Sequence, residues 1–479
     1  MIGQENLKAS NTLIRYGGFF LSVGAARVIG LLITSITFPL LVRRLGVETY
    51  GLWSYVVVLC AFFDIVANPG LTTHTAQQIA AHRNGASGLV ADFLVLRALG
   101  VIAAMVVLLA VSSLESRSLV RSLFRWYGIA ELSVGLTASD FLLSSLELFH
   151  VRSALTLIQQ SLYALGIVLF VRTPRDIVWL PVSILGSSLA TNIAGWIAVW
   201  RSGFRPPLAI APSRWRGLLV PSLHYAATTA MSNIYHRTGH LVVRWFLGDY
   251  ALGLYAAAVR FVDILRNIVS LGLSVLMPRM ALAARSISSL RRIVQAAVAA
   301  FAAVSIPLMF GTFVTAHLVV PWLLGAKYTA AIQPVRWMSP YLLAAPMASL
   351  LSGTVLYAMG RHRAYLASGT VGAAVAVVLS LTLVHILGLL GVCVAFVAAE
   401  FAVSLTAYAL MPHDLHDLWK NRVIPIAAFS SLLMVAAVRL ANSYSSRPLL
   451  VVSVGVAVYG ATSIALGRKS LVQQFGDAR

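Results

Sequence analysis

Leu45-Gly46-Val47-Glu48-Thr49-Tyr50-Gly51-Leu52-Trp53 follows the first long apolar run of the chain, and Leu247-Gly248-Asp249-Tyr250-Ala251-Leu252-Gly253-Leu254-Tyr255 follows a later one. Both read Leu-Gly, four residues, then Gly-Leu and an aromatic, at a constant offset of 202. The same offset pairs Gly70-Leu71 with Gly272-Leu273, so the register holds without a gap over 27 residues. A Gly just past a helix end accepts a left-handed backbone and lets a tight turn follow. The second Gly lets the next helix start close against the first. The motif is structural and carries no chemistry, but it writes one hairpin twice.

Around these hairpins the chain is apolar nearly throughout. Of 479 residues, 59% are hydrophobic and only 11% charged, against about 25% charged in a globular protein. A bilayer-spanning helix needs about 20 apolar residues. On that basis roughly fourteen spans are expected. Their limits are 17–41, 49–70, 89–113, 127–149, 154–171, 178–200, 217–247, 251–277, 291–314, 337–359, 364–386, 389–411, 422–440 and 448–466. The first is expected to be a retained helix, since no small-residue cleavage site follows it.

Each copy of the repeat then holds six spans, an even number, so the copies run parallel and are related by an axis along the membrane normal. The expected fold is an all-α polytopic membrane protein of two parallel six-helix repeats plus two extra C-terminal helices. The expected divisions are an N-terminal lobe at 1–213, a C-terminal lobe at 214–416, and two additional helices with a cytoplasmic tail at 417–479.

The net charge of +21 does not point to nucleic acid. Sorted by span, 19 of the 36 Lys and Arg fall on one side, 11 on the other and 6 inside. The richer side holds the amino terminus, Arg201, Arg205, Arg214 and Arg216, then Arg279, Arg285, Arg291 and Arg292, and the carboxyl tail. Positive residues stay cytoplasmic during insertion, so both termini are expected there.

The hairpin Leu41-Val42-Arg43-Arg44-Leu45-Gly46-Val47-Glu48-Thr49-Tyr50-Gly51-Leu52, the stretch Pro321-Trp322-Leu323-Leu324-Gly325-Ala326-Lys327-Tyr328 with Ala330-Ala331, and the turn Ala358-Met359-Gly360-Arg361 carry a resemblance. They resemble the polysaccharide-transport branch of the MOP (multidrug/oligosaccharidyl-lipid/polysaccharide) exporter superfamily, the O-antigen and exopolysaccharide repeat-unit flippases, over about the whole chain. The resemblance implies two lobes around a central cavity, MATE-like, that move a lipid-linked sugar by alternating access in the bacterial inner membrane. In one place the chain departs from the family. An acidic residue often precedes the Gly-Leu that ends the second helix, whereas here the stretch is Ala67-Asn68-Pro69-Gly70-Leu71, so no role for that acid transfers.

Charges inside spans are informative whatever the family. An Arg at the bilayer centre costs about 2.5–3.5 kcal/mol on insertion scales and normally faces a partner or a water-filled cavity. Arg27, Arg237, Arg260 and Arg266 are such residues, and are expected to line the cavity and hold a diphosphate. Arg260, Asp263 and Arg266 recur at three-residue steps, and Asn233, Arg237, His240 and Arg244 at steps of four, three and four, each a single helical stripe. Asp64 and Arg266 are equivalent under the offset and opposite in charge, which suggests pairing across the lobes. The alternative is that Asp64, Asp263 and Arg266 form ion pairs that tie helices together. Arg97 and Arg244, nearer span ends, are expected to snorkel to the interface. Asp140 and Glu400, near mid-span, are candidates for coupling to H+ or Na+, or for locking two helices by hydrogen bonds.

Other patterns carry less. His236 and His240 have helical zinc-pair spacing but no third ligand. His413-Asp414-Leu415-His416-Asp417 lies in a short loop. Cys60 and Cys393 sit in apolar runs, and no P-loop pattern is present. No metal site, catalytic residue or cofactor is expected.

The leading expectation is a flippase for undecaprenyl-diphosphate-linked oligosaccharide in surface polysaccharide biosynthesis. Its partners would be that lipid-linked sugar, membrane lipids, and the polysaccharide polymerase and chain-length machinery. Arginine supplies planar, always-charged donors suited to a diphosphate. A superfamily exporter of organic cations would want an acidic cavity. A membrane polymerase or ligase would want a large external domain, and the longest external loop, about Thr315 to Arg336, is well short of the roughly 50 residues that takes.

Overall fold

The protein's structure, a computed structural model, describes residues 2–81, 88–137, 139–205, 210–270, 280, 283, 286–419 and 421–476. Arg279, Arg285 and the Gly272-Leu273 end of the second repeat copy lie outside the described residues. Among those described, every regular element is helical.

Apolar sequence and tight glycine turns set the order of elements. Helix α1 (Ile2–Leu45) ends at Gly46, whose φ of +74° turns the chain into α2 (Val47–Ala67). Gly70, at φ +75°, starts α3 (Leu71–Ala81), a polar helix that the span count passes over. Then come α4 (Leu89–Leu114), α5 (Ser118–Thr137), α6 (Asp140–Ser145), α7 (Phe149–Phe170) and α8 (Trp179–Arg201). Helix α9 (Trp215–Ser270) bends at Gly248, φ +83°, where two separate spans are expected. Beyond it lie α10 (Ile287–Leu324), α11 (Ile332–Met338) and α12 (Tyr341–Ala348), the last continuing into a wider turn over Ser349–Leu356. The chain closes with α13 (His362–Leu387), α14 (Leu389–Ala409), α15 (Val423–Tyr444) and α16 (Pro448–Gly476).

Ten helices among the described residues are long and apolar enough to cross a bilayer. An eleventh results if Ala326–Met338 and Tyr341–Leu356, bent by 51°, form one span. The other expected spans, α5 and the two arms of α9, fall short on apolarity because polar and charged side chains interrupt them. The expected span at 127–149 is broken: α5 stops at Thr137 and α6 starts at Asp140.

Two compact units emerge. The first holds Met1–Leu45 and Leu52–Asn233, the second Gly46–Gly51 and Ile234–Arg479. The first is cored by Leu71, Ile79, Phe93, Leu96, Phe141, Leu142 and Val199, which bury the inner faces of α3, α4, α6 and α8. Arg44 closes that unit's α7 by donating to the carbonyls of Ile167, Val168 and Val171 at 3.0, 3.0 and 2.7 Å, at a helix C-terminus where the last carbonyls lack intrahelical donors; the Ile167 carbonyl also accepts from the Val171 amide. The second is cored by Val294, Val298 and Phe301 of α10 against Met347, Leu351 and Val355. Helices α15 and α16 join it along α10, where the Tyr459 hydroxyl donates to the Ala303 carbonyl at 2.5 Å.

Candidate functional site

Polar side chains converge inside the second unit, carried by the two arms of α9 and by α12 and α14. Asp263 and Arg266 stand one turn apart, with Arg266 Nε 3.4 Å from Asp263 Oδ1. The Tyr341 hydroxyl of α12 donates to the same carboxylate oxygen at 2.7 Å, and Arg266 donates to Asn267 Oδ1 at 3.1 Å. The Tyr341 ring stacks on Phe396 of α14, centroids 4.7 Å apart. One turn beyond Phe396 is Glu400, only 3% exposed, facing the Tyr235 hydroxyl and Arg266. Two carboxylates thus flank one guanidinium. Three of the expected residues, Asp263, Arg266 and Glu400, come together here. The tyrosines at 235 and 341 were not singled out in the sequence, since a lone Tyr in an apolar run reads as an interface aromatic.

The remaining α9 stripe is aromatic and basic. His236 lies against Tyr235 at 4.2 Å, and His240 meets the Tyr255 ring edge-on at 5.0 Å. Arg237 is half-buried between these histidines, and Arg260 is exposed on the far arm. Arg244, expected to snorkel, is half-buried and forms an ion pair with buried Asp249. The loop acid Asp417 pairs with Arg291 at 2.9 Å. Among the described residues, no three His, Cys, Asp or Glu side chains gather as a metal site would require.

The first unit corrects three expectations. Arg97 does not reach an interface: it is 5% exposed, its Nη2 is 3.5 Å from Asp64 Oδ1, and its Nε donates to the Gly135 carbonyl at 3.2 Å. A β-carbon at Gly135 would collide with this guanidinium, so the glycine makes its place. Asp64, expected opposite Arg266, therefore has its partner within its own unit, as Arg266 has in Asp263. Asp140 is not mid-helix either. It opens α6 and forms a two-point ion pair with Arg152, at 2.5 and 2.8 Å, with both side chains exposed. Arg27, on α1, is exposed.

One anchoring residue is not legible in the sequence. Asp92, in the first turn of α4, is fully buried. Its carboxylate accepts from the Ala211 amide at 2.8 Å and the Trp215 indole at 3.1 Å, and meets Arg214 Nε at 2.9 Å. It pins the end of the loop that leads into α9. An acid at a helix start reads as a dipole partner, which hides this longer reach.

Comparison with known proteins places the fold. A family model described as polysaccharide biosynthesis protein matches residues 18–284. Among curated protein sequences there is no match. The structure is similar to the lipid II flippase MurJ in an inward closed conformation, with TM-score 0.77 and 15% identity over 95% of this chain and 99% of that one. It is also similar to an inward-facing multidrug resistance MATE family transporter of the MOP superfamily, with TM-score 0.65 and 16% identity over 83% of this chain and 99% of that one. A MOP superfamily transporter from Pyrococcus furiosus gives TM-score 0.58 and 15% identity over 83% and 96%. These neighbours are a flippase and transporters, not enzymes. The chain is a polytopic membrane protein of the MOP exporter fold, and it belongs to the polysaccharide biosynthesis protein family.

Proposed function

We propose that this protein is a flippase that carries undecaprenyl-diphosphate-linked oligosaccharide repeat units across the bacterial inner membrane, by alternating access, with both termini cytoplasmic. The observation that carries the reading is the polysaccharide biosynthesis family match over residues 18–284 on a chain of exporter fold. A sugar destined for the cell surface in O-antigen, capsule or exopolysaccharide is too polar to cross a bilayer alone. Its lipid anchor carries a diphosphate, and intramembrane arginines supply charge-assisted, fork-shaped donors for that group.

Arg27, Arg237 and Arg260 are the residues assigned to the diphosphate. Arg266 belongs with them in charge, although Asp263 already shares it. Glu400 is the residue assigned to ion coupling, supported by its burial beside Tyr235 and Arg266. Asp64 and Asp140, each held by an arginine of its own unit, fit coupling less well. Polymerase and chain-length proteins would take the product on the far side.

The test is translocation in proteoliposomes. Undecaprenyl-diphosphate N-acetylglucosamine placed in the outer leaflet should become inaccessible to an impermeant lectin at a protein-dependent rate. A rate equal to that of empty liposomes would sink the reading.

A further inference from the structure

Helix α3 and the first turns of α9 form a polar surface in the first unit that none of the roles above uses. Its eleven residues, Leu71–Ala81, include Thr72, Thr73, His74, Thr75, Gln77 and Gln78, yet none is charged. A water-facing helix ordinarily carries charge, about one residue in four. This one offers only neutral donors and acceptors.

The surface is held in place from three sides. Asn68 Oδ1 accepts from the Thr72 amide and hydroxyl, both at 3.1 Å, and caps α3. Leu71 and Ile79 fix the inner face in the core of the unit. Gly70, in its left-handed conformation, brings α3 so close to α9 that a β-carbon there would stand 2.5 Å from the Tyr225 β-carbon.

On the outer face, Thr73 and Gln77 are exposed one turn apart. The Tyr225 hydroxyl donates to Gln77 Oε1 at 2.7 Å, which orients the ring and uses the amide oxygen, not the amide nitrogen, of the exposed Gln77. His74 and His224 flank the Tyr225 ring at 6.3 and 6.0 Å. An oriented aromatic ring bordered by hydroxyl, amide and imidazole groups matches a pyranose, which presents an apolar C–H face and a rim of hydroxyls.

We propose that α3 and the start of α9 form a sugar-binding subsite, with Tyr225 as its stacking platform and Gln77 and Thr73 as its hydroxyl partners. The proposal rests on the flippase reading and specifies which part of the cargo this surface takes: the sugar, not the diphosphate. It predicts that sugar adds affinity beyond that of the lipid diphosphate.

The experiment uses full-length protein in nanodiscs and two probes, undecaprenyl diphosphate and undecaprenyl-diphosphate N-acetylglucosamine. The unaltered protein should prefer the sugar-bearing lipid by about three- to tenfold, the scale of one or two net hydrogen bonds. Tyr225→Ala and Gln77→Ala should erase that preference and leave affinity for bare undecaprenyl diphosphate unchanged, while Tyr225→Phe should keep part of it. Should Tyr225→Ala fail to fold, the exposed Gln77→Ala decides. Equal affinity of the unaltered protein for the two probes, or a preference that survives Gln77→Ala, overturns the subsite. Binding of neither probe overturns the diphosphate-lipid reading, and the subsite with it.

Discussion

Gly51 and Gly253, equivalent under the 202-residue repeat, block each other's missing side chains: a β-carbon on Gly51 would overlap the Asp249 carbonyl oxygen, and one on Gly253 would overlap the Val47 carbonyl oxygen. Val47 and Asp249 are themselves equivalent under the offset, so the contact is reciprocal. The sequence repeat is thus also a packing device within the second unit, where two helix starts meet backbone to backbone. Small residues at such crossings are how helices in membranes approach closely.

Replacing either glycine by Ala should therefore destabilise the protein by about 1–3 kcal/mol, the cost of overpacking. An open helical Gly replaced by Ala ordinarily gains up to about 1 kcal/mol. Gly369 in α13, with nothing within 4 Å of its would-be β-carbon, is the matched control. Thermal unfolding of detergent-solubilised variants checks the sign at each position. A Gly51→Ala variant as stable as Gly369→Ala would show that the helices part at no cost.

Arg97 is buried, and Asp64 is its ion-pair partner. Removing the arginine alone should cost more than removing both partners, because a carboxylate in the span is then left without its cation. Asp64 is 44% exposed at its side chain, so solvent tempers the effect, and a coupling of about 0.5–3 kcal/mol is expected. The double-mutant cycle of Arg97→Leu and Asp64→Asn measures it by thermal unfolding. Strict additivity would mean that Arg97 is held by the Gly135 carbonyl and the charge of Glu131 without Asp64.

Asp92 gathers three donors, from Ala211 and Arg214 before α9 and from Trp215 at its start. Asp92→Ala leaves an amide, an indole and a guanidinium to find water, at roughly 1–3 kcal/mol for each that stays buried. Loss of abundance and protease cleavage near Ala211 should follow. Asp92→Asn keeps one acceptor and should be milder. Equal protease resistance in all three proteins would remove the anchoring role.

Arg27 and Arg237 test the diphosphate assignment. Each charge-assisted hydrogen bond lost is worth about 1.5–3 kcal/mol, so Arg→Ala should abolish surface polysaccharide while abundance and insertion stay normal. Arg→Lys should rescue in part, since an ammonium keeps the charge without the fork, and Arg→Gln should behave as Ala does. Complementation with immunoblotting separates the outcomes. Full activity of both Gln variants would mean that these arginines only pack helices.

Glu400 tests coupling. Arg266 already supplies a cation to the carboxylates around it, and a metal ion would have to share them with a guanidinium. Transport should therefore respond to a pH gradient rather than a Na+ gradient. Glu400→Gln should keep lipid binding but lose that response. Acceleration by Na+ in the unaltered protein, or by a pH gradient in Glu400→Gln, contradicts this assignment.

Sequence alone determined the membrane class, the helical content and the repeat, because each depends on local properties. An apolar run must satisfy its own backbone in lipid and so becomes a helix, and Leu-Gly at a helix end turns the chain whatever surrounds it. The same locality singled out Asp263, Arg266 and Glu400 as costly charges. Partners were a different matter. Arg97 finds Asp64 and Gly135 from separate helices, Asp140 finds Arg152 because the chain breaks after Thr137, and Tyr341 finds Asp263 from 78 residues away. Hydropathy records how costly a charge is in a span but not which helix face lies opposite it. That opposition is fixed only when the helices pack, so tertiary structure decided which charges are clamped, which stay exposed, and that a neutral helix, α3, stands beside Tyr225.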